Sequence, residues 1–212
     1  MKHILIATLL LSLSGMRLIR AEEASSSSTL VWCGLDYSMV KMIGTADFRD
    51  PDKIFPGFLV EWNSLFMKEM LPELEKIAGA VQSDLGGVQA RNAQASPNQI
   101  QREDGTRDEE VTPTHITEDN ITSAVRSYSL KTDKGLGLVF IMDRLVKAQA
   151  KAQSTGCLYV VFFDVGSRKV VLSQRLCEPA GGAGFRNYWF KPIKSVVKNK
   201  LPKMYRDATA KH

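Results

Sequence analysis

A glycine-containing loop before an apolar helix is the part of the sequence best suited to bind an anion. Residues 180–186 (AGGAGFR) place Gly182 and Gly184 just before the helical pattern and Arg186 in its first turn. Backbone N–H groups at a helix start attract phosphate or carboxylate. However, no Walker lysine follows, and Asn187 holds the place of the third glycine in a dinucleotide fingerprint. The loop therefore indicates either a small-ligand site or a sharp turn that lets the helix pack closely.

Aromatic residues continue from this loop into the helix. Phe185 and Trp189 fit core packing, with Tyr188 and its neighbours capping or hydrogen-bonding nearby loops. The alternative is a binding surface at the helix start. Asp36 and Tyr37, which end the first predicted strand, are companion candidates because ligands gather at strand ends in open α/β sheets.

Residues for catalysis and metal binding are scarce. His3 and His212 lie at the chain ends, so a catalytic triad would have to use His115, and no G-x-S-x-G motif is present. The aspartates of residues 47–53 alternate with basic residues and lack EF-hand spacing. The sequence thus predicts no catalytic residue, no metal site and no cofactor.

The first 21 residues have the pattern of a cleavable secretory signal. Lys2 precedes an apolar run from Ile4 to Leu13, and cleavage is expected after Ala21. Arg17 and Arg20 end the run before the roughly 20 apolar residues of a spanning helix. We expect an exported chain, periplasmic or secreted, with no transmembrane segment after cleavage.

Removing the signal also changes the charge. The net charge of +5 includes three signal-peptide cations and no signal-peptide acid. A nucleic-acid partner needs a dense positive surface rather than the slight excess that remains. Nucleic acid is therefore not expected as a partner.

Three cysteines in an exported chain allow one disulfide. Residues 157–165 and 169–177 predict a hairpin around the Gly166–Arg168 turn. A three-residue turn would place Cys157 opposite Cys177, close enough to bridge. Whether Cys33 is free stays open.

Hydrophobic periodicity predicts an α/β (α+β) fold: a mixed sheet that ends in an antiparallel meander, with helices packed on it. Residues 137–150 fit either a strand or a helix, and a strand over 137–145 is preferred. The predicted strands are 30–37, a weak one at 111–116, 137–145, 157–165 and 169–177, and the predicted helices are 57–81 with a bend at Pro72, 117–130 and one from Phe185 to about 202.

One domain is expected over residues 30–202. Residues 22–29 indicate a flexible leader and residues 203–212 a polar tail. Residues 82–107 contain almost no large apolar side chain, so a disordered insert is predicted there.

The element order and the segment "YVVFFDVGSRKVVLSQRL…GGAGF" resemble envelope α/β modules of the curli-secretion and TolB amino-terminal type. The segments "GLDYSMVKMIGTADF", "EWNSLF", "GLGLVFI" and "GGAGFRNYWF" resemble uncharacterised exported proteins of Bacteroidota and related bacteria. These resemblances imply a fold and a compartment, but no activity and no functional residue.

These features favour a non-catalytic periplasmic or cell-envelope module that binds a protein or surface component. The alternative is a small-ligand-binding protein or enzyme that uses residues 180–186 and the end of the first strand. A pocket walled by Asp36, Tyr37 and Arg186 would favour a ligand, and a flat apolar patch would favour a partner. The oligomeric state is not predicted.

Overall fold

The computed structural model describes residues 29–44, 48–101, 114–148 and 153–212. The predicted signal, nearly all of the predicted leader, and residues 102–107 of the predicted insert lie outside these ranges. The strands are β1 (Leu30–Asp36), β2 (Lys41–Ile43), β3 (Val81–Ser83), β4 (Ile100–Gln101), β5 (Leu136–Val146), β6 (Thr155–Asp164) and β7 (Val170–Pro179). The α-helices are α1 (Leu59–Glu69), α2 (Leu71–Ala78), α3 (Gly86–Asn92), α4 (Glu118–Ser127), α5 (Phe185–Asn199) and α6 (Leu201–Thr209).

All seven strands form one mixed sheet built around β5. On one side, the first part of β5 pairs with β1 and its last part with β2, both in parallel. On the other side, β5, β6 and β7 form an antiparallel meander. The short strands β3 and β4 pair with β1 and β2 at the outer edge. The predicted fold class, with its mixed sheet and closing meander, is confirmed.

The central strand β5 is buried along its whole length. Both of its faces carry apolar side chains, which pack on two separate clusters of buried residues. A strand covered on both faces shows a continuous apolar run rather than alternation. This explains why residues 137–150 were ambiguous in sequence, and the choice of a strand is correct.

Helices cover both faces of the sheet. The larger cluster joins one face to α1, α2, α5 and α6, and it contains most of the largest buried aromatic residues: Trp32, Tyr37, Trp62, Phe66, Phe140, Phe162, Trp189 and Phe190. The smaller cluster joins the other face to α4 and to Val88 of α3. The sheet is therefore the middle layer, as expected for helices packed against it.

Of two predicted helices, one is divided in the structure and the other begins where predicted. The expected single helix over 57–81 is two helices, because Pro72 stands in the first turn of α2 and cannot donate to the preceding turn. Helix α4 begins where predicted: the Thr117 side chain accepts a hydrogen bond from the Asn120 backbone N–H, and the Asn120 side-chain oxygen accepts one from the Thr117 backbone N–H.

The disordered insert predicted for residues 82–107 is wrong for residues 82–101, which contain part of β3, the helix α3 and the strand β4. Only Val88 contributes a fully buried large apolar side chain there. Much of the order comes from polar contacts, such as the Asp84 carboxylate, which accepts the backbone N–H groups of Lys131 and Thr132 at 2.6 and 2.9 Å. Composition alone does not reveal such contacts.

The predicted polar tail is also wrong, because residues 203–209 belong to α6, where Met204 and Ala208 pack into the larger cluster. The weak strand predicted at 111–116 falls partly outside the described residues, and its described part, 114–116, forms no strand.

The predicted disulfide between Cys157 and Cys177 is present, at directly paired positions of β6 and β7. Cys33 is a free, buried thiol of β1. Burial, and next the nearby Asp84 carboxylate, raises the pKa of Cys33 to about 12. This thiol therefore stays protonated and unreactive at neutral pH.

No helix within the described residues is long and apolar enough to cross a membrane.

Gly137 allows close packing inside the sheet. It pairs with Phe163, whose ring occupies the space that a Cβ at position 137 would need. We predict that Gly137→Ala lowers the free energy of unfolding by about 1–3 kcal/mol, because the core has no room for the added methyl. Urea denaturation measures this change. Gly57→Ala is the matched control, since open space surrounds Gly57, and equal losses in both variants would contradict the packing explanation.

Candidate binding site

Asp36, predicted as a site residue, is fully buried at the end of β1. Its Oδ2 accepts hydrogen bonds from Arg91 Nε at 2.9 Å and Tyr128 Oη at 2.8 Å, and its Oδ1 accepts from the Ser38 amide at 2.8 Å. Burial, and next the Asp36 charge, raises the pKa of Tyr128 well above its usual value. The carboxylate thus joins β1 to α3 and to the end of α4, and each of its oxygens is already bonded within the protein.

Tyr37, the companion prediction, is also buried. Its ring stacks on Trp62 at 5.2 Å between centroids, and Trp62 Nε1 donates to the Arg186 carbonyl at 2.9 Å. Trp62 therefore links the end of β1 to the glycine loop. The link consists of packed aromatic rings and a backbone carbonyl, with the Arg186 side chain exposed.

The loop of residues 180–184 folds onto the first turn of α5. Gly182 and Gly184 adopt φ values of 117° and 75°, a region that favours glycine. The Gly181 N–H donates to the Tyr188 carbonyl at 3.1 Å, and Lys147 Nζ lies 4.3 Å from the Tyr188 ring centroid. Asn187, the neighbour of Tyr188, is exposed on this turn. The glycines thus form the sharp turn that was one of the two interpretations of this loop. The other interpretation, a small-ligand site, stays a prediction.

A second buried acid, Asp143 of β5, was not singled out in sequence. Its carboxylate accepts from Arg175 Nε at 2.7 Å and from Thr114 Oγ1 at 2.9 Å, and it lies 3.2 Å from His115 Nδ1. Burial by itself raises the pKa of Asp143, but the hydrogen bonds from His115, Arg175 and Thr114 and the Arg175 charge outweigh burial and lower it. An aspartate inside an apolar strand, with an arginine on the strand beyond the next one in the meander, is the signal that could have revealed this cluster.

The His115–Asp143 pair resembles half of a catalytic triad. The second ring nitrogen, Nε2, lies 2.8 Å from the Met39 carbonyl, so it faces a backbone acceptor rather than a hydroxyl. Ser38, the neighbouring hydroxyl, accepts from Arg91 Nη2 at 2.7 Å. Within the described residues, both ring nitrogens of His115 face acceptors of the protein, which indicates a structural tie between β5 and the turn after β1.

Three amide side chains complete the outer edge of the sheet at positions where no strand of the described residues pairs. The Asn63 side chain pairs with both the N–H and the C=O of Leu35, at 2.8 and 3.0 Å. Asn92 accepts from the Tyr37 N–H at 2.7 Å and donates to the Leu35 carbonyl at 2.8 Å. Gln99 Nε2 donates to the Tyr37 and Val40 carbonyls at 2.9 and 3.0 Å. These amides satisfy backbone groups between the short strands β3 and β4.

An apolar cleft of about 240 Å³ lies between α1 and α3, beside this amide-closed edge. We call it the α1–α3 cleft. Val60 is 61% exposed here, an unusual exposure for a large apolar side chain among the described residues. The residues that line the cleft are Pro56, Leu59, Val60, Asn63, Ser64, Met67, Leu85, Gln89, Asn92 and Ala93.

A second cavity, of about 360 Å³, is lined by Ser38–Lys41, Asn98, Gln99, His115, Ile116 and Asn120. Two of its polar groups, the His115 ring and the Gln99 amide, already bond to the backbone between β1 and β2. The α1–α3 cleft differs from this cavity in its mostly apolar lining and in the exposed Val60, and it is therefore the better candidate for binding an external apolar group.

Neither cavity is lined by Asp36, Tyr37, Gly182, Gly184 or Arg186. Val60 and Met67, which line the cleft, were not singled out in sequence. The available signal was that Val60 falls outside the stripe formed by Trp62, Leu65 and Phe66.

Within the described ranges, no group of three or more His, Cys, Asp or Glu side chains is arranged to hold a metal ion.

No protein-family model matches the chain, and no curated protein matches it. Among solved structures, protein XCC0632 from Xanthomonas campestris, a DUF330 protein, aligns with 13% sequence identity and a TM-score of 0.29. The alignment covers 44% of this chain and 61% of that protein. Similarity at this level assigns neither a family nor an activity, and the resemblance to exported Bacteroidota proteins stays a prediction.

The Asp143 cluster predicts a specific dependence of stability on pH. Because the folded-state pKa of Asp143 is lowered, its contribution to stability is present above the unfolded-state pKa of about 3.9 and is lost as the pH falls through the folded value. We expect Asp143→Asn to cost about 2–3 kcal/mol at pH 7, less than a fully buried pair because Arg175 is partly solvated.

Urea denaturation between pH 7 and pH 2 tests this expectation. The Asp143→Asn variant should lose less stability than the wild type below about pH 4, since it has no carboxylate to protonate. Asp133→Asn, at an exposed position, is the control and should follow the wild-type curve. Parallel curves for the wild type and Asp143→Asn would show that Asp143 does not carry this dependence.

Proposed function

We propose that this chain is a non-catalytic module of the bacterial cell envelope that binds a protein partner through the α1–α3 cleft. The observation that carries the proposal is the apolar lining of the cleft together with the exposure of Val60. An apolar side chain left in water beside an apolar cavity loses nothing by desolvation and gains by burial.

The size of the cleft favours a protein side chain over a whole small molecule. Its volume of about 240 Å³ is below the roughly 300–1,000 Å³ of typical small-molecule sites. One large apolar side chain, such as leucine or phenylalanine, can fill such a cavity and act as an anchor. The floor offers little for hydrogen bonding, because the amides of Asn63 and Asn92 already bond to the β1 backbone.

The non-catalytic part of the proposal is supported by how the buried acids are used. Asp36 and Asp143 are bonded to arginine, tyrosine, threonine or histidine side chains within the protein. A general acid or base must reach a substrate proton, and these carboxylates are directed into the protein instead. The envelope location is supported by the signal-like first 21 residues and by the disulfide, a bond that persists in oxidising compartments.

The proposed export predicts the covalent form of the mature protein, namely its first residue and its disulfide bond. Expressed in a bacterial host with an intact secretion system, the chain should be recovered outside the cytoplasm with Glu22 as its first residue. Its intact mass should be lower than that of the reduced chain by two hydrogens, because Cys157 and Cys177 are joined. Mass spectrometry checks both features. A cytoplasmic chain that retains Met1, or one with three free thiols, would contradict the envelope assignment.

The proposed binding of a protein partner at the α1–α3 cleft predicts that the partner crosslinks only to positions that line the cleft. A photoreactive benzoylphenylalanine in place of Gln89, which lines the cleft, should yield one discrete protein adduct in envelope fractions. The same group in place of Glu75, exposed on α2 and away from the cleft, should yield none.

Two substitutions at Val60 make this experiment specific. Val60→Asp places a charge at the cleft and should abolish the adduct, whereas Val60→Leu keeps the surface apolar and should retain it. Both changes are at an exposed position and should alter unfolding free energy by less than about 0.5 kcal/mol. An adduct that persists in Val60→Asp would show that the cleft does not bind the partner.

A further inference from the structure

The two edges of the sheet are finished in different ways. At one edge, β3 and β4 contain only three and two residues, and the amide side chains of Asn63, Asn92 and Gln99 occupy the backbone groups between them. At the other edge, β7 runs for ten residues and pairs only with β6 in the described part of the chain. A long edge strand presents a row of N–H and C=O groups that can pair with another strand.

Strand β7 has few of the features that normally block such pairing. Its one proline, Pro179, is at the very end, and its one bulge lies near the beginning, opposite Phe162 and Phe163. Between these points the strand is regular. The middle of β7, from Leu172 to Glu178, is therefore able to accept a further strand.

The side chains of β7 separate cleanly onto the two faces of the sheet. Leu172, Gln174 and Leu176 lie opposite Phe162, Val160 and Leu158, on the face covered by the larger cluster. Ser173 and Arg175 lie opposite Val161 and Tyr159, on the face of the smaller cluster. Because opposed residues in an antiparallel pair share a face, this separation determines which registers a further strand can use.

We propose that β7 pairs with β7 of a second copy of this chain, antiparallel and centred on Gln174, so that the two sheets become one. A two-fold axis perpendicular to the sheet keeps the side chains of both copies on their own faces. Two residues can therefore face each other only when both have even numbers or both have odd numbers. In this register Leu172 faces Leu176 of the second copy, and the reverse. Ser173 faces Arg175 on the other face, and the Gln174 amides face each other and can exchange a hydrogen bond.

Neighbouring registers are less favourable. Centring the pair on Arg175 would place the two Arg175 cations directly opposite each other, which destabilises a cross-strand pair. Centring it on Ser173 would place Leu172 opposite Gln174 and Val171 opposite Arg175, so these two apolar side chains would face polar ones. Self-complementarity is therefore best at Gln174, and this argues for a second copy rather than an unrelated strand.

A charge-swap experiment tests this pairing. Gln174 is exposed, so Gln174→Lys and Gln174→Glu should fold normally. The wild-type chain should be a dimer in analytical ultracentrifugation. Each single variant should dimerise about tenfold more weakly or not at all, because like charges meet at the two-fold axis. An equimolar mixture of the two variants should recover the dimer, since lysine then faces glutamate.

Lys169→Glu is the matched control, because Lys169 is exposed and precedes β7, away from the two-fold axis. A mixture of Lys169→Glu and Gln174→Lys should not recover wild-type affinity. A wild-type chain that is monomeric at about 100 µM, or a dimer unaffected by Gln174→Lys, would overturn the proposal. The outcome is independent of the α1–α3 cleft, which lies at the opposite edge of the sheet and is tested by Val60 variants.

Discussion

The hydrogen bonds from Asn63 and Asn92 to the backbone of β1 are the constraint on which the rest of this structure depends. They satisfy the Leu35 and Tyr37 groups that no strand reaches, and an unpaired buried amide or carbonyl costs about 1–3 kcal/mol. Each asparagine also belongs to a helix, so the same bonds set the position of α1 and α3 against the sheet. The cleft between these two helices exists because side chains, rather than a longer β3, close this edge.

Two buried aspartates likewise hold separate elements together through side-chain hydrogen bonds. Asp36 connects the end of β1 to Arg91 of α3 and to Tyr128, just after α4. Asp143 connects the middle strand to Arg175 of β7 and to the segment before α4. A charged group in an apolar interior is stable only when it is fully bonded. These clusters therefore add fixed polar contacts between elements that also pack through apolar side chains.

Sequence periodicity predicted the parts of the fold that apolar burial organises. The hairpin of β6 and β7, the disulfide that joins it and the capped start of α4 all follow from local pattern. Residues 82–101 were mispredicted because their order rests on Asp84, Arg91 and Asn92, whose partners are distant in sequence. Polar composition usually indicates disorder, but it does not distinguish solvated side chains from side chains that bond to buried backbone.

The residues predicted as a site, Asp36 and Tyr37, differ from the residues that line the cleft. Asp36 and Tyr37 were chosen because strand ends often bind ligands. In the structure both join elements of the fold, and ligand binding by them stays a prediction. Val60 carried a weaker signal, an apolar residue outside the main stripe of α1, and its meaning depends on where α3 lies. That position could not be inferred while residues 82–101 were read as disordered. The incorrect prediction of disorder for residues 82–101, which include α3, is therefore also the reason why the cleft was not predicted.

The arrangement of the two edges has a mechanical consequence for binding. The α1–α3 cleft lies beside β1, and β7 is separated from β1 by β5 and β6, so about 15 Å of hydrogen-bonded sheet stands between them at roughly 4.8 Å per strand. A strand added at β7 extends the sheet away from the cleft and leaves Val60 accessible. Two chains joined at β7 would therefore carry two clefts at the far ends of a continuous sheet. Such an arrangement can bind two partners at once, and it gains avidity when those partners are themselves linked.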